Sequence, residues 1–467
     1  MTARPNIVLI LVDDLGWRDL GCFGSTFYET PNIDRLATDG TSFVNSYAAA
    51  PVCSPTRASL LSGKYPARVG VTNFIGGHAV GRLADVPYFH GLPRNEYSLA
   101  RALRAGGYRT WHVGKWHLGS RLTSPEQHGF DRNIGGTERG APTSYFTPYD
   151  IATLPDGPPG EYLTDRLTDE AVRLIEQSDD QPFFLNLWHY TVHIPLQAPE
   201  QLIEKYRQKA QSLGLDQEPI EVGEPMPTWH KRGQRVERRT LQSNPTYAAM
   251  IESLDIGVGR VVDALEASGK LDQTMIIFTS DNGGLATAEG SPTCNSPLGE
   301  GKGWMADGGI RVPTIVRLPD QVPAGRRSEL VMTTPDFYPT LLSAAGLDRL
   351  PDQHVDGIDL WARWRGDPAA RGPIFWHYPH YSNQGGTPAA SVRDGRWKLI
   401  RFFEDDHEEL YDLDGDVSER TDRAADQPDT VTRLSGLLDD WLDEVGARIP
   451  ATNPAGPEPW PDPPGAE

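Results

Sequence analysis

The chain predicts an α/β fold: a large, mostly parallel sheet sandwiched by helices, with a smaller C-terminal antiparallel sheet. Three observations predict it. Apolar runs without alternation recur at residues 5–12, 108–113, 182–190 and 274–280, the mark of strands buried on both faces. Segments of helical spacing separate them. Beyond residue 370 the texture changes to short alternating segments split by Gly and Asp turns, the mark of hairpins.

A length of 467 residues suits one large and one smaller unit. Residues 1–370 are expected to form the α/β domain that carries the site, 371–449 a small α+β subdomain, and 450–467 a disordered Pro-rich tail. The hydrophobic fraction of 38%, with 12 Trp, 16 Tyr and 14 Phe, is enough to fill these cores.

Residues 5–12 open the sheet and end at Asp13-Asp14-Leu15-Gly16. Paired acids after a buried strand either solvate a turn or offer oxygen ligands to a hard cation. Thr30 is placed to cap a helix that Pro31 begins. Residues 42–50 form a short strand or an extended lead-in to Cys53-Ser54-Pro55-Thr56-Arg57, and a helix starting near Pro55 runs on to Gly63. Cys53 therefore lies at or near a helix N-terminus, where backbone N–H groups and the dipole favour a developing anion. By itself it could equally be a buried apolar thiol.

A helix over 96–105 stops at Gly106-Gly107. The strand 108–113 then delivers Gly114-Lys115-Trp116-His117-Leu118-Gly119, where Lys115 and His117 point the same way if the segment is extended. A helix over 163–177 precedes strand 182–190, which hands over to His193, either a structural hydrogen-bonding group or a catalytic one. Residues 217–245, with Lys231, Arg232, Arg235, Arg238 and Arg239, read as a solvated loop first and a lid second. A long helix over 247–268 and strand 274–280 lead to Asp281-Asn282-Gly283-Gly284. Lys302 sits in the flexible Gly299-Glu300-Gly301-Lys302-Gly303, and Thr334-Pro335-Asp336 starts a helix ending near Ala345. Segments 374–380, 391–403 and 409–413 make the small sheet, and a helix over about 430–445 follows.

In a sheet of this kind ligands sit outside the carboxyl ends of the strands. Asp13, Asp14, Lys115, His117, His193, Asp281 and Asn282 all fall there.

The net charge of -20 argues against a nucleic-acid surface. It also requires that any site for an anion concentrate its cations locally. No run approaches the roughly 18 apolar residues of a membrane span, and residues 7–12 are too short for the core of a signal peptide. The expectation is a cytoplasmic protein, or an exported one whose leader is absent from this sequence. Cys22, Cys53 and Cys294 are odd in number and far apart, so a disulfide framework is not indicated, although a Cys22–Cys294 bridge stays open.

The motifs Cys53-Ser54-Pro55-Thr56-Arg57, Gly114-Lys115-Trp116-His117-Leu118-Gly119, Ser280-Asp281-Asn282-Gly283, Gly301-Lys302-Gly303, Gly308-Gly309-Ile310-Arg311-Val312-Pro313 and Glu409-Leu410-Tyr411-Asp412-Leu413 stand in one order along the chain. Together they resemble the type I sulfatases, the arylsulfatase and polysaccharide sulfatase branch of the alkaline phosphatase superfamily. The resemblance implies that a formylglycine-generating enzyme oxidises Cys53 to formylglycine (3-oxoalanine), whose hydrate is the nucleophile. It further implies that Asp13, Asp14, Asp281, Asn282 and residue 53 hold Ca2+. All are oxygen donors after the oxidation, which suits calcium.

By the same resemblance Arg57 and Lys115 steady the hydrate, His117 strips its second hydroxyl, and His193 and Lys302 hold the sulfate and protonate the departing alcohol. The implied substrate is a sulfated carbohydrate or an aryl sulfate. A diol can release the bound sulfate by elimination from its own carbon, whereas a plain hydroxyl would need a second displacement at sulfur. His377 and His380, in Trp376-His377-Tyr378-Pro379-His380, are either satisfied core histidines or a pocket wall that contacts a sugar. Glu300 and Asp307 depart from the family pattern, and Glu300 is expected to point away from the sulfate. The rival readings are a phosphodiesterase or phosphonate monoester hydrolase of the same superfamily, and a non-catalytic calcium-binding relic whose Cys53 is never oxidised.

Overall fold

The computed structural model describes residues 4–215 and 219–454. Fourteen strands are numbered here in chain order. They are β1 (Asn6–Val12), β2 (Thr41–Tyr47), β3 (Arg109–Gly114), β4 (Arg132–Ile134), β5 (Phe183–Trp188), β6 (Ile220–Pro225), β7 (Arg235–Arg239), β8 (Thr274–Ser280), β9 (Arg311–Arg317), β10 (Arg326–Thr333), β11 (Ile374–Tyr378), β12 (Ala389–Asp394), β13 (Trp397–Phe402) and β14 (Glu408–Asp412).

Eight strands form one sheet in the order β10-β2-β9-β8-β1-β5-β3-β4. Parallel pairing runs through β8-β1-β5-β3-β4 and again in β10-β2, and only β9 runs against its neighbours. β1 shows why the apolar runs are continuous. Val8, Ile10 and Val12 enter one core with the helices Leu163–Glu176 and Pro245–Ala267, while Ile7, Leu9 and Leu11 enter another with Cys53–Ser62, Leu99–Ala105 and Phe337–Ala344. With both faces covered, positions 7–12 of the strand are all apolar, and only Asn6 at its start is polar, bonded to Thr274 and Phe183.

Three strands of this sheet, β4, β9 and β10, lie in segments with no clear strand pattern. β9 hides because Pro313 interrupts it. The register between β2 and β9 shifts beside that proline, where a residue without an N–H is tolerated. The stretch 217–245, expected as a loop, is instead a hairpin of β6 and β7, with residues 216–218 outside the described part. Its pairing shifts register between Val222 and Pro225 and is reinforced by charged residues, Arg238 reaching Glu224 at 2.7 and 2.9 Å.

Thr30 is the N-cap residue ahead of Pro31, as expected, but its side chain makes no capping bond to a helix N–H. Its hydroxyl donates to Asp34, and the free N–H groups of Asn32 and Ile33 donate to Asp255 on the long helix Pro245–Ala267. All three cysteines are free, so no Cys22–Cys294 bridge forms.

β11 to β14 make the separate antiparallel sheet, backed by the helix Pro428–Glu444. The segment 391–403 is two strands, turned at Gly395 with φ 61°. Residues 450–454, expected in the tail, are held. Thr452 bridges Leu83, and the Asn453 N–H donates to the Arg82 carbonyl at 2.8 Å. The rest of that expectation, residues 455–467, lies outside the described residues. Among the described residues no helix is long and apolar enough to cross a membrane.

Gly114 ends β3 where the chain must turn toward the site. Its φ is 101°, and a Cβ there would lie 1.9 Å from the carbonyl oxygen of Trp188, which accepts the Lys115 N–H at 2.7 Å. Gly114→Ala should therefore cost about 3 kcal/mol of folding free energy, read as a lowered urea midpoint; an unchanged midpoint would contradict this account of the turn.

Candidate active site

The carboxyl ends of β1, β3, β5 and β8 lie side by side, and each delivers polar residues to one edge. Asp13 and Asp14 follow β1, Lys115 and His117 follow β3, His193 comes after β5, and Asp281 and Asn282 follow β8. The helix Cys53–Ser62 points its first residue at this edge, with Val52 extended before it. Asp14 takes φ 61°, a left-handed turn between two adjacent acids. His117 takes φ 53°, so it reaches the site through a turn and not, as strand alternation would have it, on the same face as Lys115.

Charge holds the cluster together. Arg57, fully buried, donates to Asp281 at 2.7 and 2.9 Å and to the Lys115 carbonyl at 3.0 Å. It lies 3.8 Å from Asp13, and its guanidinium sits over the Trp188 ring at 5.1 Å. Lys115 pairs with Asp13. Lys302 pairs with Asp14 at 2.8 Å and lies 3.0 Å from His193 Nε2. Three carboxylates thus meet three cations in a dry setting where an unpaired charge would cost several kcal/mol.

The balance is uneven. Burial, with Asp281 and Asp14 nearby, pushes the Asp13 carboxyl up to about 8 despite Lys115. Asp14 is also buried, but Lys302 and Lys115, with Asn282 donating to it, hold it well below the usual carboxylate range. Lys302 is held above its ordinary value, burial being outweighed by Asp14.

The two histidines are poised oppositely to surface ones. Burial, then Lys115, pushes His117 far below its ordinary value; burial, then Lys302, pushes His193 down to about 3. Both are neutral, so each carries one proton. His117 Nε2 lies 3.1 Å from the Ile75 carbonyl, which can only accept. The proton is therefore on Nε2, and the Nδ1 lone pair faces Cys53 Sγ at 3.2 Å. His193 Nδ1 donates to the Ile194 carbonyl at 2.9 Å, so its Nε2 accepts from Lys302. Burial raises the Cys53 thiol, itself only 2% exposed.

The donor set fits a hard cation. Among the described residues Asp13 Oδ1 and Asn282 Oδ1 are buried without a hydrogen-bond partner, and such oxygens are costly unless something positive meets them. Asn282 Nδ2 donates to Asp14 Oδ1 at 2.8 Å, which turns its own carbonyl oxygen outward from that bond. One oxygen each of Asp13 and Asp14 and a nitrogen of His193 come within 4.8 Å of one another.

Some of the machinery left little trace in the sequence. Ser54 accepts from the Ile75 N–H at 3.1 Å and donates to the His117 carbonyl at 2.9 Å, tying three segments together; its place beside Cys53 was the one signal available. Trp188 is a core residue of an apolar strand, and nothing in the sequence singles it out as the partner of Arg57. Glu300 points away, bidentate on Arg238 at 2.8–3.1 Å. Asp307 is buried against Lys398 and Tyr47.

His377 and His380 are not joined to this cluster by any hydrogen bond among the described residues. His377 Nε2 bonds the Arg448 carbonyl at 3.1 Å, and His380 lies between Thr72 at 2.8 Å and Asp85 at 2.7 Å.

Buried acids, the cations paired with them and a helix-borne residue 53 thus meet at the carboxyl edge of a mostly parallel sheet, the place where an α/β hydrolase holds its reacting groups. A family model described as Sulfatase matches residues 5–347, and one described as N-sulphoglucosamine sulphohydrolase, C-terminal, matches residues 301–444. A sulfatase of Formosa agariphila is 31% identical over 94% of this chain and 89% of its own length. The N-acetylgalactosamine-6-sulfatase of Sus scrofa is 34% identical over 80% of this chain and 68% of its own. The crystal structure of Ps i-CgsB in complex with k-i-k-neocarrahexaose superposes with a TM-score of 0.75 at 29% identity, covering 94% of this chain and 92% of that one. The chain belongs to the sulfatase family, and so to the sulfuric ester hydrolases.

Asp281→Ala would strand the buried Arg57 and should cost about 3–5 kcal/mol. Combining it with Arg57→Met should return part of that loss in urea denaturation; strict additivity of the two variants would show that they do not act as a pair.

Proposed function

We propose that the protein removes sulfate from a sulfated carbohydrate, using the hydrate of a formylglycine made from Cys53 and a calcium ion held by Asp13, Asp14, Asp281, Asn282 and residue 53. The observation that carries this reading is the neutral His117 with its Nδ1 lone pair on residue 53, 3.2 Å from the sulfur. A simple buried thiol needs no base aimed at it.

The hydrated aldehyde would supply a geminal diol, one oxygen to attack sulfur and one to drive release. Calcium would supply positive charge to the sulfate oxygens, where negative charge spreads in the transition state. The chain's own groups do the rest. Arg57 and Lys115 fix Asp281 and Asp13 around residue 53. Lys302, protonated and 3.0 Å from His193 Nε2, holds a proton that the leaving alcohol oxygen needs. His117 Nδ1 is the acceptor for the proton of the second hydroxyl. With calcium bound and Asp13 thereby ionised, Asp13, Asp14 and Asp281 would cancel Arg57, Lys115 and Lys302, and the divalent cation would leave a local positive site in a chain of net charge -20.

The carbohydrate class rests on the curated relative named N-acetylgalactosamine-6-sulfatase and on the neocarrahexaose complex. His377, on β11, and His380, just beyond that strand, belong to this proposal as candidates for a pocket wall that contacts a sugar.

Cys53→Ala and Cys53→Ser should both abolish turnover while the circular dichroism spectrum stays that of the parent; retained sulfate release in either would remove residue 53 from the reaction. Intact-mass analysis of the peptide containing residue 53 should find the aldehyde in active enzyme. Chelation with EGTA should stop sulfate release and added Ca2+ restore it, whereas insensitivity to EGTA would remove the metal from the mechanism.

A further inference from the structure

The Ile75 carbonyl decides which nitrogen of His117 carries the proton, and that carbonyl belongs to a turn over residues 74–77. The Gly77 N–H donates to the Phe74 carbonyl at 2.9 Å. Ile75 and Gly76 are the central residues, and Gly76 has φ 88°. Positive φ at the third residue defines a type II turn, in which the central peptide is flipped relative to type I. The central peptide here contains the Ile75 carbonyl, so the turn type sets whether that oxygen meets His117.

Two further contacts hold the turn. The Tyr88 hydroxyl lies 2.9 Å from the Phe74 carbonyl and 2.7 Å from that of Gly77, bridging both ends. Its ring stacks on His90 at 4.6 Å and meets His380 edge-on at 5.3 Å, so the hydroxyl is held in place. The Ile75 N–H donates to Ser54, beside Cys53.

We propose that the 74–77 turn, set by Gly76 and clamped by Tyr88, is a positioning element for His117: it aims the Ile75 carbonyl at Nε2–H and so keeps the Nδ1 lone pair on residue 53. Tyr88 meets Phe74, Gly77, His90 and His380, none of them a proposed metal ligand, and Gly76 and Tyr88 act through His117. The tautomer claim stands on the geometry alone; its effect on catalysis rests on the proposed function. There, His117 Nδ1 takes the proton of the free hydroxyl on residue 53, the aldehyde C=O re-forms, and the bond from that carbon to the sulfate oxygen breaks to release sulfate.

Gly76→Ala and Tyr88→Phe test it. A Cβ at Gly76 meets nothing within 4 Å, so the alanine adds only backbone strain, which favours the flipped turn. Tyr88→Phe removes one oxygen and leaves the ring packing. In protein labelled with 15N-histidine, the His117 signals, assigned by their loss in His117→Ala, should report the Nε2–H tautomer in the parent and a mixture in both variants. In kinetics, both should slow sulfate release by roughly tenfold, with a burst of about one equivalent of alcohol and enzyme retaining one SO3 unit by intact mass. A defect confined to folding would lower both steps together.

Parent-like His117 signals in both variants would overturn the proposal, as would equal slowing of alcohol and sulfate release. His117→Ala is the control for the underlying reading. If it shows no alcohol burst, the role given to His117 is wrong, and the nitrogen spectra still decide whether the turn sets its tautomer.

Discussion

The buried pairing of Arg57 with Asp281 is the constraint on which the rest of the site depends. It joins the helix that begins at Cys53 to the end of β8, and the same guanidinium holds the Lys115 carbonyl at the end of β3. One side chain therefore fixes three elements that are distant in sequence. An arginine suits this place because its planar fork serves two acceptors at once and its face can lie on the Trp188 ring. A lysine would supply the charge but not the geometry.

From that joint the division of labour follows. His117 lies against residue 53 while His193 stands among the carboxylates beside Lys302, and burial drives the departures of both from ordinary titration. The same dry setting that lifts Asp13 and lowers His117 makes each proton position definite. His117 and His193 are alike in type and opposite in use: one turns its lone pair toward residue 53, the other toward Lys302.

Much of this was legible in the sequence because a parallel sheet converts strand order into spatial convergence. Polar residues placed just after apolar runs had to share an edge, and Asp13, Lys115, His193 and Asp281 do. The cues failed where pattern and structure diverge. β9 carries Pro313 at a register shift, β7 is made mostly of charged residues and β6 mixes glutamate with glycine and proline, and 450–454 is held by pairing with residues 82–84. Backbone groups were the least visible part of the site. The Ile75 carbonyl has no side-chain signature, and the Gly76-Gly77 pair that shapes it looks like any flexible loop.

Residue 53 opens a helix whose ten residues are all buried, beneath the turn that Tyr88 clamps. A protein as large as an oxidising enzyme has no route to that sulfur in the finished molecule. If residue 53 is oxidised as proposed, its burial would require that step to come before the helix docks: the aldehyde first, the closed core after it. Under that proposal a chain that folded too soon would keep its thiol and lock itself out of the reaction.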